Sequence, residues 1–88
     1  MLLMRVAEEI KSRLETRFAP RELAVEDESA LHAGHAGAPD GGQSHFAVRI
    51  RAGELGDMSR IARHRAVHDA LGQGLMDRIH ALAIDADG

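Results

Sequence analysis

There is no cysteine in this sequence, no tryptophan, no tyrosine and only two phenylalanines. The missing cysteine excludes a thiolate zinc site, thiol–disulfide chemistry and an iron–sulfur cluster held by the chain's own sulfurs. Any metal would have to be met by the six histidines or by carboxylates. Long apolar runs are missing too. The tetrad Met1 to Met4 gives way to Arg5, Glu8 and Glu9, and nothing approaches the roughly 20 apolar residues of a membrane span. The expectation is a soluble, cytoplasmic protein with no membrane partner. A basic excess is likewise absent. The formal net charge is −3, which argues against a dedicated nucleic-acid binder, whose domains usually carry clear positive charge. A chain of 88 residues makes one domain, residues 1–88, with room for one modest core.

What is present is periodicity. From Leu3 to Phe18 the apolar positions Leu3, Val6, Ala7, Ile10, Leu14 and Phe18 follow helical steps, so one stripe faces inward while Glu8, Glu9, Lys11, Arg13 and Glu15 face water. Pro20 ends the helix, because proline lacks a backbone donor and keeps its predecessor out of the helical region. Leu23 and Val25 alternate with Ala24 and Glu26 as a short strand. Phe46, Val48 and Ile50 alternate with Ala47, Arg49 and Arg51 as a longer one. Between them, residues 29–43 hold four glycines and one proline, a loop of a length that is usually functional or disordered. The two strands should pair as a long-looped hairpin. After Gly53 and Gly56, Ser59 is a candidate N-cap. Ile61, His64, Val67, Leu71 and Leu75 then mark the inward stripe of a second long helix, fraying near Met76 because Gly72 and Gly74 weaken its last turn. Ile79 to Ile84 is a last alternating stretch, followed by an acidic tail. The order αββαβ, with room for an extra short helix (αββααβ), describes an α+β fold: a three-stranded sheet with helices on one face.

Histidine is the chemistry-bearing residue in excess. His32 and His35 lie in the glycine-rich loop, His45 opens the second strand, His64 and His68 sit one turn apart on a helix, and His80 opens the last strand. His64 and His68 have the spacing of a helical metal pair. They lack the intervening carboxylate of a zinc protease, and the flanking arginines would repel a cation, so a polar helix face is the plainer reading. A mobile glycine-rich backbone would let His32 and His35 turn toward a metal, or leave them as solvated polar residues. His80 alternates onto the face of Leu82 and Ile84, where periodicity alone reads a hydrogen-bonded histidine at the edge of the core. Arg60, Arg63 and Arg65 with His64 form the one basic cluster, either a solvated face or a dock for an acidic partner or phosphate. The spelling GxxG occurs at Gly34–Gly37 and at Gly53–Gly56. In KH domains such a loop joins two helices and clamps nucleic-acid backbone, but neither copy has the flanking helix pair, and the second carries Glu54. No nucleophile–base pair, nucleotide loop or paired-carboxylate arrangement stands out, so no enzyme is expected.

Three stretches together carry a resemblance. They are Asp27-Glu28-Ser29 followed by a histidine loop closing on Ser44-His45-Phe46, Arg63-His64-Arg65 continued by Val67 and Leu71, and Ile79-His80-Ala81-Leu82-Ala83. In this order and spacing the chain resembles BolA-like proteins over nearly its whole length. The resemblance implies a KH-like α+β fold without a working GxxG loop. It also implies a non-enzymatic adaptor that pairs with a monothiol glutaredoxin and shares a [2Fe-2S] cluster with it and with glutathione, in iron–sulfur trafficking or iron sensing. On that pattern His80 matches the strand ligand and His32 the loop ligand, which places the chain in the family's histidine-loop class. The loop is longer than the family pattern and carries His35 as an alternate to His32; His45 is the next candidate. Neutral imidazoles in place of thiolates remove negative charge from a cluster and raise its potential. Arg63, His64 and Arg65 would dock the partner. The isolated chain should be a folded monomer without tightly bound metal, since its imidazoles are too few to complete a cluster. The alternative that the family implies is a DNA-binding transcriptional regulator.

Overall fold

The computed structural model describes residues 5–28 and 45–88. Along them the order is α1 (Val6–Phe18), β1 (Glu22–Asp27), β2 (His45–Arg51), α2 (Gly53–Gly56), α3 (Arg60–Leu71), α4 (Gln73–Met76) and β3 (Ala81–Asp87). In α1 the helical stripe is buried at Val6, Ile10, Leu14 and Phe18, while Glu8 and Glu9 stand in the first turn, where negative charge suits the helix dipole. Full burial of Ile10 and Leu14 contributes about 1.5–3 kcal/mol each relative to exposure. The helix closes at Ala19, which is left-handed (φ 46°, ψ 56°) and donates its amide to the Glu15 carbonyl at 3.0 Å. Pro20 then prevents continuation.

The sheet has the order β1-β2-β3. β1 and β2 are the expected antiparallel hairpin, with Leu23 opposite Ile50 and Val25 opposite Val48. β3 runs parallel to β2, bringing Phe46 beside Leu82 and Val48 beside Ile84. A parallel neighbour needs a crossover, which α2, α3 and α4 supply. Phe46, Val48 and Ile50 form the floor of the core, with Leu23, Val25, Leu82 and Ile84 beside them and Ile10, Leu14, Phe18, Val67 and Leu71 packed above. The opposite face of the sheet is wet. There Arg49 stands between Glu22 at 3.6 Å and Asp85 at 3.7 Å, and Arg51 reaches Asp85 at 2.9 Å.

Three features depart from the reading of periodicity. β3 spans Ala81–Asp87 rather than Ile79–Ile84: the acidic residues after Ile84 continue the parallel ladder beside Arg49 and Arg51, and both arginine side chains reach the Asp85 carboxylate. The second long helix ends at Leu71, and Gly72 turns the chain at φ 83° and ψ 153° into the separate short helix α4. Ile61 is 64% exposed. The inward position of that first turn belongs to Arg63 instead, whose Nε donates to the Leu55 carbonyl at 2.8 Å and Nη2 to the Gly56 carbonyl at 3.3 Å. A four-residue helix such as α2 leaves its last carbonyls without intrahelical partners; Arg63 donates to both, sharing the Leu55 carbonyl with the Met58 amide at 3.2 Å. Ser59 caps α3 as its position suggests, its hydroxyl accepting from the Ala62 amide at 3.1 Å.

Candidate functional site

One end of the sheet gathers the residues of interest. His45 is the first residue of β2 and pairs with Ala81, the first residue of β3, in parallel register. His80 therefore falls beside His45, and the two imidazole rings lie 4.8 Å apart between centroids with their planes tilted by 46°. His45 is partly buried, whereas His80 is exposed. The position of His80 differs from the core-edge reading because the chain bends at His80 before β3 begins at Ala81, so the alternation of the strand does not govern it.

The same end of the sheet holds both ends of the intervening segment. Asp27 pairs with Phe46, and the Glu28 amide donates to the His45 carbonyl at 2.7 Å. His32 and His35 belong to that segment and lie outside the described residues. Its anchors nevertheless flank His45, which touches His80. Among the described residues no three metal-ligating side chains converge. Two imidazoles, one partly buried and one solvent-facing, are the nitrogen donors that the described residues bring together at this end of the sheet.

α3 carries the basic surface. Arg60 and Arg65 are exposed, His64 is partly buried and His68 is exposed. Neither Arg60 nor Arg65 forms an ion pair with a described residue. Arg63 is occupied within the molecule, by the two α2 carbonyls and by Asp87 of β3 at 3.3 Å. The Asp87 carboxyl is held below its ordinary pKa, first by the Gly88 amide that donates to it and next by the Arg63 charge. The structure thus divides the Arg63-His64-Arg65 triplet: one arginine braces α2 against β3, and the other points outward.

The second GxxG spelling is α2 itself. Glu54 takes a bidentate pair of hydrogen bonds from Arg17 at 3.0 and 2.8 Å, and this bonding holds its carboxyl below the usual value. Leu55 is buried, and a Cβ built on Gly56 would stand 3.1 Å from the Gly88 Cα. Here the glycine serves a close backbone approach between α2 and the residue after β3. The first spelling, Gly34–Gly37, lies outside the described residues. Sequence reasoning ranked His45 behind the loop histidines. The two strand openings, Ser44-His45-Phe46 and Ile79-His80-Ala81, were the available signal, but only the strand order makes them neighbours.

Comparison with known proteins bears on the whole chain. The family model for BolA-like protein matches residues 14–87. A Sinorhizobium protein described as uncharacterized, in the cobS 5' region, is 43% identical over 83 residues, covering 93% of this chain and 89% of that one. SufE-like protein 1 of Arabidopsis thaliana is 42% identical over 81 residues, covering 88% of this chain; the match spans 22% of that longer protein. The solved BolA domain of SufE1 from the same plant superposes with a TM-score of 0.80 at 37% identity, covering 98% of this chain and 94% of that one. The DNA-binding transcriptional regulator BolA of Vibrio cholerae is 37% identical over 75 residues, covering 85% of this chain and 67% of that one. With the family model matched from α1 to the end of β3 and the fold shared with solved BolA domains, this chain belongs to the BolA-like protein family.

Proposed function

We propose that this chain is a non-enzymatic adaptor that pairs with a monothiol glutaredoxin and contributes imidazole ligands to a [2Fe-2S] cluster shared with that partner and with glutathione. The observation that carries the reading is the placement of His80. It is exposed in the bend just before β3, beside the two anchored ends of the segment that contains His32 and His35. On this reading His80 is one ligand and His32 the other, with His35 as alternate. Bound, the cluster supplies iron positions that neutral imidazoles fill in place of thiolates. His80 contributes its ring from a point held by the strand that follows, and Arg65 and His64 present the exposed side of α3 to an acidic partner surface.

A second reading has one observation in its favour: the Vibrio relative is named as a DNA-binding transcriptional regulator. Weighing against it here are the net charge of −3 and a GxxG segment folded into α2 with its acidic residue paired.

The test is anaerobic co-purification with a monothiol glutaredoxin and glutathione, read by visible absorption and iron content. The wild-type pair should show a cluster spectrum distinct from that of the glutaredoxin alone. His80→Ala should abolish the distinction while far-UV circular dichroism stays unchanged. His32→Ala should give partial loss, and His32→Ala with His35→Ala a much larger one. An unchanged spectrum in His80→Ala would refute the site. Tight DNA binding with a steep salt slope, and no cluster in the pair, would favour the second reading.

A further inference from the structure

The contact between His45 and His80 has a direction, because the two histidines are held to different degrees. His45 lies within β2, is partly buried, and its carbonyl accepts the Glu28 amide at 2.7 Å. His80 is exposed in the bend before β3. An exposed imidazole on such a bend samples several staggered side-chain rotamers unless a neighbour selects one. The ring of His45, 4.8 Å away and tilted by 46°, is placed to make that selection. The parallel register of β2 and β3 creates the pairing, and it holds before any partner arrives. We infer that His45 is a positioning residue for His80: its flat ring fixes the direction in which His80 presents its nitrogen to an incoming metal cluster. This rests on the reading of His80 as a ligand. It assigns His45 no bond to iron, so what matters at position 45 is a planar ring and not a nitrogen.

Wild type, His45→Ala and His45→Phe separate these roles. In the isolated chain, NMR couplings and nuclear Overhauser contacts report the His80 rotamer without any cluster. They should show one rotamer in wild type, averaging in His45→Ala, and one rotamer again in His45→Phe. In the glutaredoxin pair, His45→Ala should weaken cluster retention against glutathione by about 10-fold, the lower end for loss of a residue that orients a metal ligand. His45→Phe should restore it to within about twofold by the same scale. Nitrogen hyperfine coupling in the reduced cluster should be unchanged in both variants. A single His80 rotamer surviving in His45→Ala would overturn the inference. So would a His45→Phe variant that loses cluster and one nitrogen coupling, since His45 would then be a ligand. If His80→Ala leaves the cluster spectrum intact, the functional reading fails, while the rotamer measurement still decides whether His45 orients His80.

Discussion

Arg63 and Arg65 are two residues apart and identical in chemistry, yet the fold gives them different work. Arg63 ends on the carbonyls of Leu55 and Gly56 and on Asp87. Removing it loses the bond to the Leu55 carbonyl, which keeps the Met58 amide at 3.2 Å, together with the Gly56 and Asp87 contacts, a loss of about 0.5–1.5 kcal/mol. Arg63→Ala should therefore lower the urea midpoint and reduce the melting temperature by several degrees. Arg65 is exposed without an ion-pair partner among the described residues, and Arg65→Ala should shift stability by less than about 0.5 kcal/mol. Its effect should appear instead in the association rate with an acidic partner and in that rate's salt dependence. Stopped-flow binding at two ionic strengths, set beside urea unfolding, checks both. Equal effects of the two substitutions on stability would contradict the division.

At the scale of elements, two backbone turns set the helix ends and carry opposite expectations. Gly72 separates α3 from α4 at φ 83° and ψ 153°, a region that side chains with a Cβ scarcely enter. A Cβ there would also stand 3.4 Å from Arg13 Nη1, the group that donates to the Leu71 carbonyl. Gly72→Ala should cost about 1–3 kcal/mol. Ala19 ends α1 in the left-handed region at φ 46°, where it already bears a penalty of roughly 1 kcal/mol. Ala19→Gly relieves that penalty at some cost in unfolded-chain entropy, and the net gain should be a few tenths of a kcal/mol. Urea midpoints moving in opposite directions at constant slope would confirm the pair. A tolerated Gly72→Ala would show that α3 and α4 can be rejoined.

The whole molecule is tied across its surface by arginine–carboxylate contacts, and these give it an acid limit. Arg17 joins α1 to Glu54 of α2, Arg63 joins α3 to Asp87 of β3, and Arg78 joins the residues after α4 to Glu9 of α1 at 2.6 Å. The carboxyls of Asp87 and Glu54 both lie below their ordinary values in the fold. A depressed folded pKa means that the unfolded chain takes up the proton first. The stabilisation is therefore complete above the unfolded value, near pH 4, and is lost as pH falls through the lower folded value. Unfolding by urea at about pH 6, 4 and 2.5 should show a progressive loss across the lower interval. Asp87→Asn together with Glu54→Gln should flatten that limb. An unchanged acid profile in the double variant would place the pH dependence on other carboxylates.

Much of the fold was legible in local pattern. The steps of Ile10, Leu14 and Phe18, the alternation of Phe46, Val48 and Ile50, and Ser59 before α3 each predict their element, because helix and strand periods are properties of neighbouring residues. The absence of cysteine determined that any metal chemistry here falls to imidazole or carboxylate. Local pattern could not place Ile61 outside and Arg63 inside, since that choice depends on the carbonyls of α2 arriving overhead. Nor could it extend β3 through Asp85 and Asp87, whose place in the ladder depends on β2 lying alongside in parallel register, with Arg49 and Arg51 of β2 and Arg63 of α3 pairing their carboxylates. The candidate site shows the division most clearly. Of two histidines 35 residues apart, one opens β2 and the other stands in the bend just before β3, and nothing in either stretch refers to the other. They meet because β3 pairs parallel to β2 in one register, an arrangement selected by the shared apolar floor of Phe46, Leu82, Val48 and Ile84 rather than by the histidines it brings together.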